Sequence, residues 1–271
     1  MSTGSQTREL KLGPELTVSV ADAGSGRPAL VLHGGGGPGT IAPITAHLAK
    51  AMRTLAPVHP GWDGTDRPQW LSSIGELAAV YLDLLAAEDL RDVVVVGNSI
   101  GGWIACEMAV RDAGSAIGAL VLIDSVGIEV AGQPVRDFFK LSPREIADYT
   151  FCDGDRFYSD PSQMDPEQAE AMRANMATLR VLAGDPYMYD PGLRERLAEV
   201  TPPALAIWGD SDGIASPDYG RALAQSLANC RFELVAAAGH VPQLEQPDAV
   251  FSLIDSFANE TAAPGQPSHS L

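Results

Sequence analysis

The stretch DVVVVGNSIGG, residues 92–102, decides how the chain is read. Four consecutive valines make an all-apolar, β-branched run ended by glycine, the pattern of a parallel strand buried on both faces. Gly97, Ser99 and Gly101 then fit G-x-S-x-G, a tight strand-to-helix turn that holds its serine in a strained backbone conformation at the carboxyl edge of a sheet. Helical residues continue from Trp103 through Val110, so the free N–H groups of a first helical turn lie beside the serine. A nucleophile that must stabilise a developing oxyanion is suited to that place. The competing interpretation is a phosphate-binding turn or a simple loop closure. The rest of the chain must supply the partners that separate the two.

Upstream, LTVSVADA (16–23) alternates like an edge strand, and PALVLHG (28–34) reads as a second buried strand. It runs into HGGGGPG, His33 to Gly39. Adjacent glycines lose much backbone entropy on ordering, so they suit a loop whose N–H groups must approach a ligand closely. No G-x-x-x-x-G-K-[ST] follows and the stretch has no lysine, which argues against a phosphate loop and for an oxyanion donor. His33, at a strand end before glycines, is expected to shape the loop by hydrogen bonding rather than to act as a base. A helix is expected over about 41–52, then a short strand and the loop TLAPVHPGWDGTDRP (54–68). His59, Trp62 and Asp63 fall at that strand's carboxyl end, where open α/β sheets bind ligands. Trp62 is the candidate pocket wall from this loop. Apolar residues at helical spacing predict a helix over 73–88.

Downstream, IGALVLIDSVG (117–127) is another buried strand, with Asp124 at its end as one candidate acid. From 127 to about 200 the β-α alternation stops. In its place come pieces that read as helical: PVRDFFKL, SPREIADYTF, DPEQAEAMRANMATLRVLA and DPGLRERLAEV. Pieces that open on S-P or D-P match a capping residue followed by proline at the first helical position. An inserted helical cap is expected here, its thioethers and aromatics suited to an apolar pocket. The sheet resumes with PPALAIWGDSDG (202–213), placing Asp210 and Asp212 at the same edge, and then RFELVAAAG leads into His240. Of the five histidines, His240 is the one in a post-strand loop after these acids. A closing helix over 247–259 and a disordered tail are expected to end the chain.

Composition bounds the rest. At 271 residues with 45% hydrophobic content and a mean hydropathy near zero, the chain is expected to be a soluble globular protein. No apolar run suggests a membrane span or a signal segment, and three scattered cysteines fit a reducing compartment, so a cytoplasmic location is expected. A formal charge of -17 argues against nucleic acid or an anionic membrane as a partner. The cysteines lack metal-ligand spacing, and neither a metal nor a cofactor is expected. The expected partner is a small-molecule substrate, with a homodimer as an open alternative.

GNSIGG, HGGGGPG, WGDSD and AGHVPQLEQP, in that order, resemble the nucleophile elbow, oxyanion loop, acid strand and histidine loop of the α/β-hydrolase superfamily. The likeness runs over about residues 16–260. It implies an α/β-hydrolase fold: a mostly parallel eight-stranded sheet flanked by helices, with residues 1–126 and 200–260 as core, 127–199 as an inserted cap and 261–271 as tail. It further implies Ser99, Asp212 and His240 as catalytic triad, Asp212 being preferred to Asp210 because the superfamily's acid sits three residues past the glycine. Backbone N–H groups of Gly35 and Ile100 would form the oxyanion hole. Gly34, Trp62, Trp103, Phe138, Met172, Met176 and Val241 are the candidate pocket residues. HGGGGPG with GNSIGG is most similar to the meta-cleavage product hydrolases, which cleave C–C bonds of vinylogous diketones. Those enzymes typically carry tryptophan after the histidine, and this chain carries Val241. The loop HPGWDGTDRP also departs from the superfamily's commoner PGxGxS pattern. An ester-type, carboxylesterase-like substrate is therefore favoured and C–C hydrolysis is the alternative. A cofactor-free perhydrolase or lyase, and a ligand receptor with vestigial activity, stand behind both. Epoxide hydrolase and haloalkane dehalogenase are disfavoured, since their likeness would call for aspartate where Ser99 stands.

Overall fold

Alternate residues of a strand point to opposite faces of its sheet, and in this chain the two faces carry two separate apolar cores. Leu30, Leu32, Val93, Val95, Leu120 and Leu122 belong to one; Ala29, Val31, Val94, Val96, Ala119 and Val121 belong to the other. The structure, a computed structural model, describes residues 6–112 and 116–262. Eight strands form one sheet: β1 (Gln6–Lys11), β2 (Thr17–Ala23), β3 (Pro28–Leu32), β4 (Arg53–Pro57), β5 (Val93–Asn98), β6 (Ile117–Ile123), β7 (Ala204–Gly209) and β8 (Cys230–Val235). Their order is β1-β2-β4-β3-β5-β6-β7-β8. β1 and β2 run antiparallel to their neighbours and the remaining pairs are parallel. The expected eight-stranded, mostly parallel architecture is present.

Helices α1 (Ala42–Leu48), α2 (Ile74–Ala87) and α3 (Ile100–Arg111) follow β3, β4 and β5. The apolar faces of α2 and α3 fill the first core, and Ile44 and Leu48 of α1 fill the second. Between β6 and β7 the chain inserts α4 (Pro143–Thr150), α5 (Gly154–Phe157), α6 (Pro166–Ala183) and α7 (Leu193–Arg196). Ser142 and Glu145 close a reciprocal capping box on α4, and Asp165 accepts the Gln168 N–H at the start of α6. Leu179, Leu182, Leu193 and Leu197 of this insertion join the first core. The chain ends with α8 (Pro217–Ser226), α9 (Pro242–Glu245) and α10 (Pro247–Glu260), the last packing on the second core through Val250, Ile254 and Phe257.

Four expectations need correction. The edge strand is β1, and residues 17–23 lie inside the sheet between β1 and β4. β1 was hidden because it is charged: Arg8 pairs with Asp22 and Glu88, each at 2.7 Å, and Arg53 reaches the same two carboxylates. The helix expected to run to residue 52 stops at Leu48, since β4 opens at Arg53. The strand expected to reach residue 127 ends at Ile123, where Asp124 takes a positive φ of 43° and breaks the extended backbone. PVRDFFKL forms only a 3-10 turn at Phe138–Lys140. Tyr187 Oη accepts the Phe138 N–H and donates to the Arg136 carbonyl, diverting backbone groups that a helix would use. The expected tail falls, from residue 263 on, outside the described residues. Among the described residues no helix is long and apolar enough to cross a membrane.

Candidate active site

The parallel strands end at one edge, and there the loops after β3, β5, β6, β7 and β8 meet. Ser99 stands between β5 and α3 with φ 56°, the left-handed region that side chains avoid. Its neighbours make that turn possible. A Cβ on Gly97 would lie 2.2 Å from the Gly101 carbonyl oxygen, and one on Gly101 would lie 2.3 Å from that of Leu32. Strand, turn and helix therefore close on one another only with glycine at both positions. The Ser99 N–H donates to the Ile123 carbonyl at 2.9 Å, locking the turn to β6.

Three side chains distant in sequence line up here. His240 Nε2 lies 2.9 Å from Ser99 Oγ, and His240 Nδ1 lies 2.8 Å from Asp212 Oδ2. All three residues are buried. Asp212 is fixed from behind, its Oδ1 accepting the N–H groups of Ile214 at 2.7 Å and Ala215 at 3.1 Å. With Nδ1–H donated to the carboxylate, the unprotonated Nε2 faces the serine hydroxyl, the tautomer a general base requires. Asp210 is exposed and, among the described residues, accepts from the Ser211 hydroxyl alone. Asp124 is fully buried next to Asp212.

The glycine loop is braced from below. His33 Nδ1–H donates to the Gly34 carbonyl at 2.7 Å while its Nε2 accepts the His59 N–H at 3.0 Å. His59 in turn donates from Nε2 to the His33 carbonyl and accepts from Tyr81 Oη through Nδ1. Burial pushes His33 down to about 4 and His59 well below its ordinary value, so both rings are neutral struts. Trp62 is fully buried, edge-on to both rings, and its Nε1–H donates to the Gly35 carbonyl at 3.0 Å. Gly34 abuts Ser99, a Cβ there lying 3.1 Å from the Ser99 Cβ. Ile100 opens α3, so its N–H has no partner within the helix.

The insertion covers this edge. A Cβ on Gly35 would meet Leu179 Cδ2 at 3.0 Å, and the Phe138 ring stands edge-on to His240 with centroids 6.4 Å apart. Asn175 Oδ1 accepts the Asp63 N–H at 2.8 Å, Asn175 Nδ2 donates to Asp63 Oδ1 at 2.9 Å, and Thr178 Oγ1 donates to the Gly61 carbonyl. Met176 is half-buried against the first core, Val241 is buried beside His240, and Trp103 is buried against Gly127. Met172 is not brought to the site: it is 46% exposed, turned to solvent four residues before Met176 on α6. Leu179, Asn175 and Asn98, outside the residues expected from sequence, also meet here. Asn98 Nδ2 donates to the carbonyls of Ile123 and His240, tying the serine turn to the histidine loop. Its place between the buried strand and Ser99 was the available cue; Leu179 and Asn175 had none beyond helical spacing.

Among the described residues one trio of His, Cys, Asp or Glu donors is close enough to share a cation: Asp124, Asp212 and His240, within 4.8 Å of one another. A cation there would take His240 Nδ1 from Asp212 or Nε2 from Ser99. The arrangement is chemically a base aimed at a hydroxyl, with a carboxylate holding the base.

A family model described as the alpha/beta hydrolase family matches residues 29–253. The chain is 25% identical to the 2-hydroxy-6-oxononadienedioate/2-hydroxy-6-oxononatrienedioate hydrolase of Paraburkholderia phymatum over 96% of both chains. A hydrolase of the same description from Dechloromonas aromatica is 29% identical, with 90% of this chain and 91% of the relative covered. The 2-hydroxymuconate semialdehyde hydrolase of Pseudomonas putida is 26% identical, covering 89% and 90%. Among solved structures, a meta-cleavage product hydrolase from Pseudomonas fluorescens superposes with TM-score 0.76 at 21% identity, over 96% of this chain and 99% of that one. A thermophilic esterase from Thermogutta terrifontis superposes with TM-score 0.69 at 20% identity, over 95% and 100%. At these identities the superpositions speak for the fold alone.

Proposed function

The chain belongs to the alpha/beta hydrolase family, and from that premise we propose that it is a serine hydrolase that cleaves a C–C bond in a conjugated, vinylogous diketone. The observation that carries the choice of bond is that full-length relatives are described as hydrolases of 2-hydroxy-6-oxo dienoates and 2-hydroxymuconate semialdehyde. This reverses the order suggested by Val241, which favoured an ester.

In this mechanism His240 Nε2 takes the Ser99 proton as Oγ attacks the substrate carbonyl. Asp212 holds the tautomer and stabilises the imidazolium. The N–H groups of Gly35 and Ile100 bind the oxyanion, each donor worth about 3 kcal/mol in comparable sites. The 2-hydroxy dienoate reacts as its 2-oxo tautomer, the enol proton having moved to the carbon next to the attacked carbonyl; collapse of the tetrahedral adduct then breaks the C–C bond, the departing electron pair delocalises through the remaining double bond into the 2-oxo group, and the imidazolium returns a proton to it. Water, activated by the same histidine, then releases the acyl group from Ser99 as a carboxylic acid. The 127–199 segment acts as cap, with Phe138, Leu179 and Met176 facing the apolar part of a small-molecule substrate. Three unpaired cysteines support a reducing, cytoplasmic setting.

Purified protein offered a 2-hydroxy-6-oxo dienoate and a p-nitrophenyl ester distinguishes the two bonds. The C–C reading expects the dienoate chromophore to bleach with the higher kcat/KM. Ester turnover without dienoate turnover would restore the esterase reading, which Val241 beside His240 favours.

A further inference from the structure

The carboxyl edge of the sheet holds a second carboxyl group beside the Ser99–His240–Asp212 line that the mechanism above leaves unused. Asp124 is the first residue after β6, and its N–H donates to the Ile207 carbonyl at 3.0 Å. Its Oδ1 accepts the Gly209 N–H, also at 3.0 Å. The side chain is thus clamped between the ends of β6 and β7, fully buried. Among the described residues its Oδ2 is buried with no donor facing it, while the carboxyl groups of Asp124 and Asp212 approach within 4.8 Å of one another.

Two ionised carboxylates cannot share such a place cheaply, because burial removes the water that would solvate them and each repels the other. The contacts of Asp212 show which of the two keeps the charge. Asp212 accepts three hydrogen bonds, from Ile214 N–H, Ala215 N–H and His240 Nδ1–H, and a carboxylate offers about four acceptor positions. Asp124 accepts one. The anion therefore sits on Asp212, and one acceptor position of that anion is left to fill. A proton on Asp124 Oδ2 fills it and gives the unpartnered oxygen its bond.

We infer that Asp124 is a positioning residue: a neutral carboxylic acid whose hydroxyl donates to the Asp212 carboxylate, fixing that carboxylate in line with His240 and drawing off part of its charge. Burial first, and the Asp212 charge second, hold the Asp124 carboxyl well above the ordinary carboxylate range. The other titratable groups facing the pair are His240 and, from α9, Glu245, whose Oε2 accepts the Gly239 N–H. The hydrogen bond stabilises the Asp212 anion in the resting enzyme. It also weakens that anion's hold on the His240 proton, which eases the return of the proton to the leaving group.

The inference rests on the triad reading above, and its test separates the two. Difference infrared spectra of the unaltered protein and Asp124→Asn at neutral pH should contain the deuterium-sensitive carbonyl stretch of a protonated carboxyl, contributed by the unaltered protein. With the dienoate ketone as substrate, Asp124→Asn should keep kcat within a few-fold, because its amide still accepts from Gly209 and donates to Asp212. Asp124→Ala should lower kcat by about tenfold or more, the loss expected for a hydrogen bond to a charged group. In Asp124→Ala the acid limb of kcat/KM should move to higher pH, since an unshared Asp212 charge holds the imidazolium proton more firmly; in Asp124→Asn it should stay in place. Absence of the protonated-carboxyl band overturns the inference, and so does an Asp124→Asn variant as impaired as Asp124→Ala. If the band is present but Ser99→Ala still turns over substrate, the triad reading fails while the protonation of Asp124 stands.

Discussion

At the scale of single residues, the site joins atoms that the sequence separates widely. Ser99 and His240 lie 141 positions apart yet meet at 2.9 Å. On the proposed mechanism Ser99→Ala removes the attacking oxygen, and it is expected to abolish turnover of dienoate and ester alike, with an unchanged circular dichroism spectrum. The two acids near β7 make opposite predictions. Asp212→Asn should reduce kcat by about a thousandfold or more, because the wrong tautomer of His240 is then favoured. Asp210→Asn, on an exposed side chain that bonds only to Ser211, should leave kcat as it is. Steady-state kinetics of the two variants checks the assignment, and a crippled Asp210→Asn with an active Asp212→Asn would reverse it. Ser99, His240 and Asp212 could be singled out in sequence because each follows a recognisable strand and sits in its own motif. Asp124 appeared there only as a competing acid, since nothing in the letters says that its carboxyl lies beside that of Asp212.

At the scale of elements, apolar periodicity made most of the sheet legible and charge concealed the rest. β3, β5, β6 and β7 are runs of Val, Ile, Leu and Ala buried on both faces, so they could be read directly. β1 could not, because QTRELK is held through the Arg8, Asp22, Arg53 and Glu88 ion pairs, with Leu10 half-buried against the first core. The insertion was legible as helical from its caps, Ser142 and Asp165, but the side of α6 that meets the site was not. Met172 reads as well as Met176 for a pocket residue and turns to solvent, whereas Leu179 and Asn175, which carry no motif, make the contacts. Asn175 and Asp63 form two reciprocal bonds that hold α6 over the glycine loop. Asn175→Ala should therefore loosen that cover. The expected result is a KM raised several-fold, with both bonds together worth about 1–3 kcal/mol, and a thermal midpoint lowered by only a few degrees. An unaltered KM would separate α6 from substrate binding.

For the whole molecule, the buried histidine pair under the active-site loop links stability to pH. His33 is held at about 4 when folded, against an ordinary 6.5, and burial holds His59 well below that ordinary value too. An unfolded chain binds protons at both rings as pH drops through 6.5, while the folded protein does not. Stability from this source is fully present above 6.5 and is lost progressively as pH falls towards 4. Thermal midpoints measured across that window should decline, and less steeply in His33→Asn, which lacks one of the two titrating rings; equal slopes would contradict the neutral-strut role of His33. The same fold that buries these rings brings five loops to one sheet edge, and in the proposed mechanism that edge activates Ser99. Intact-mass spectrometry after incubation with a small fluorophosphonate tests that claim most directly. The expected result is a single adduct, mapped to Ser99 by peptide digestion and lost in His240→Ala. No adduct on the unaltered protein, or an adduct that persists in Ser99→Ala, would contradict it.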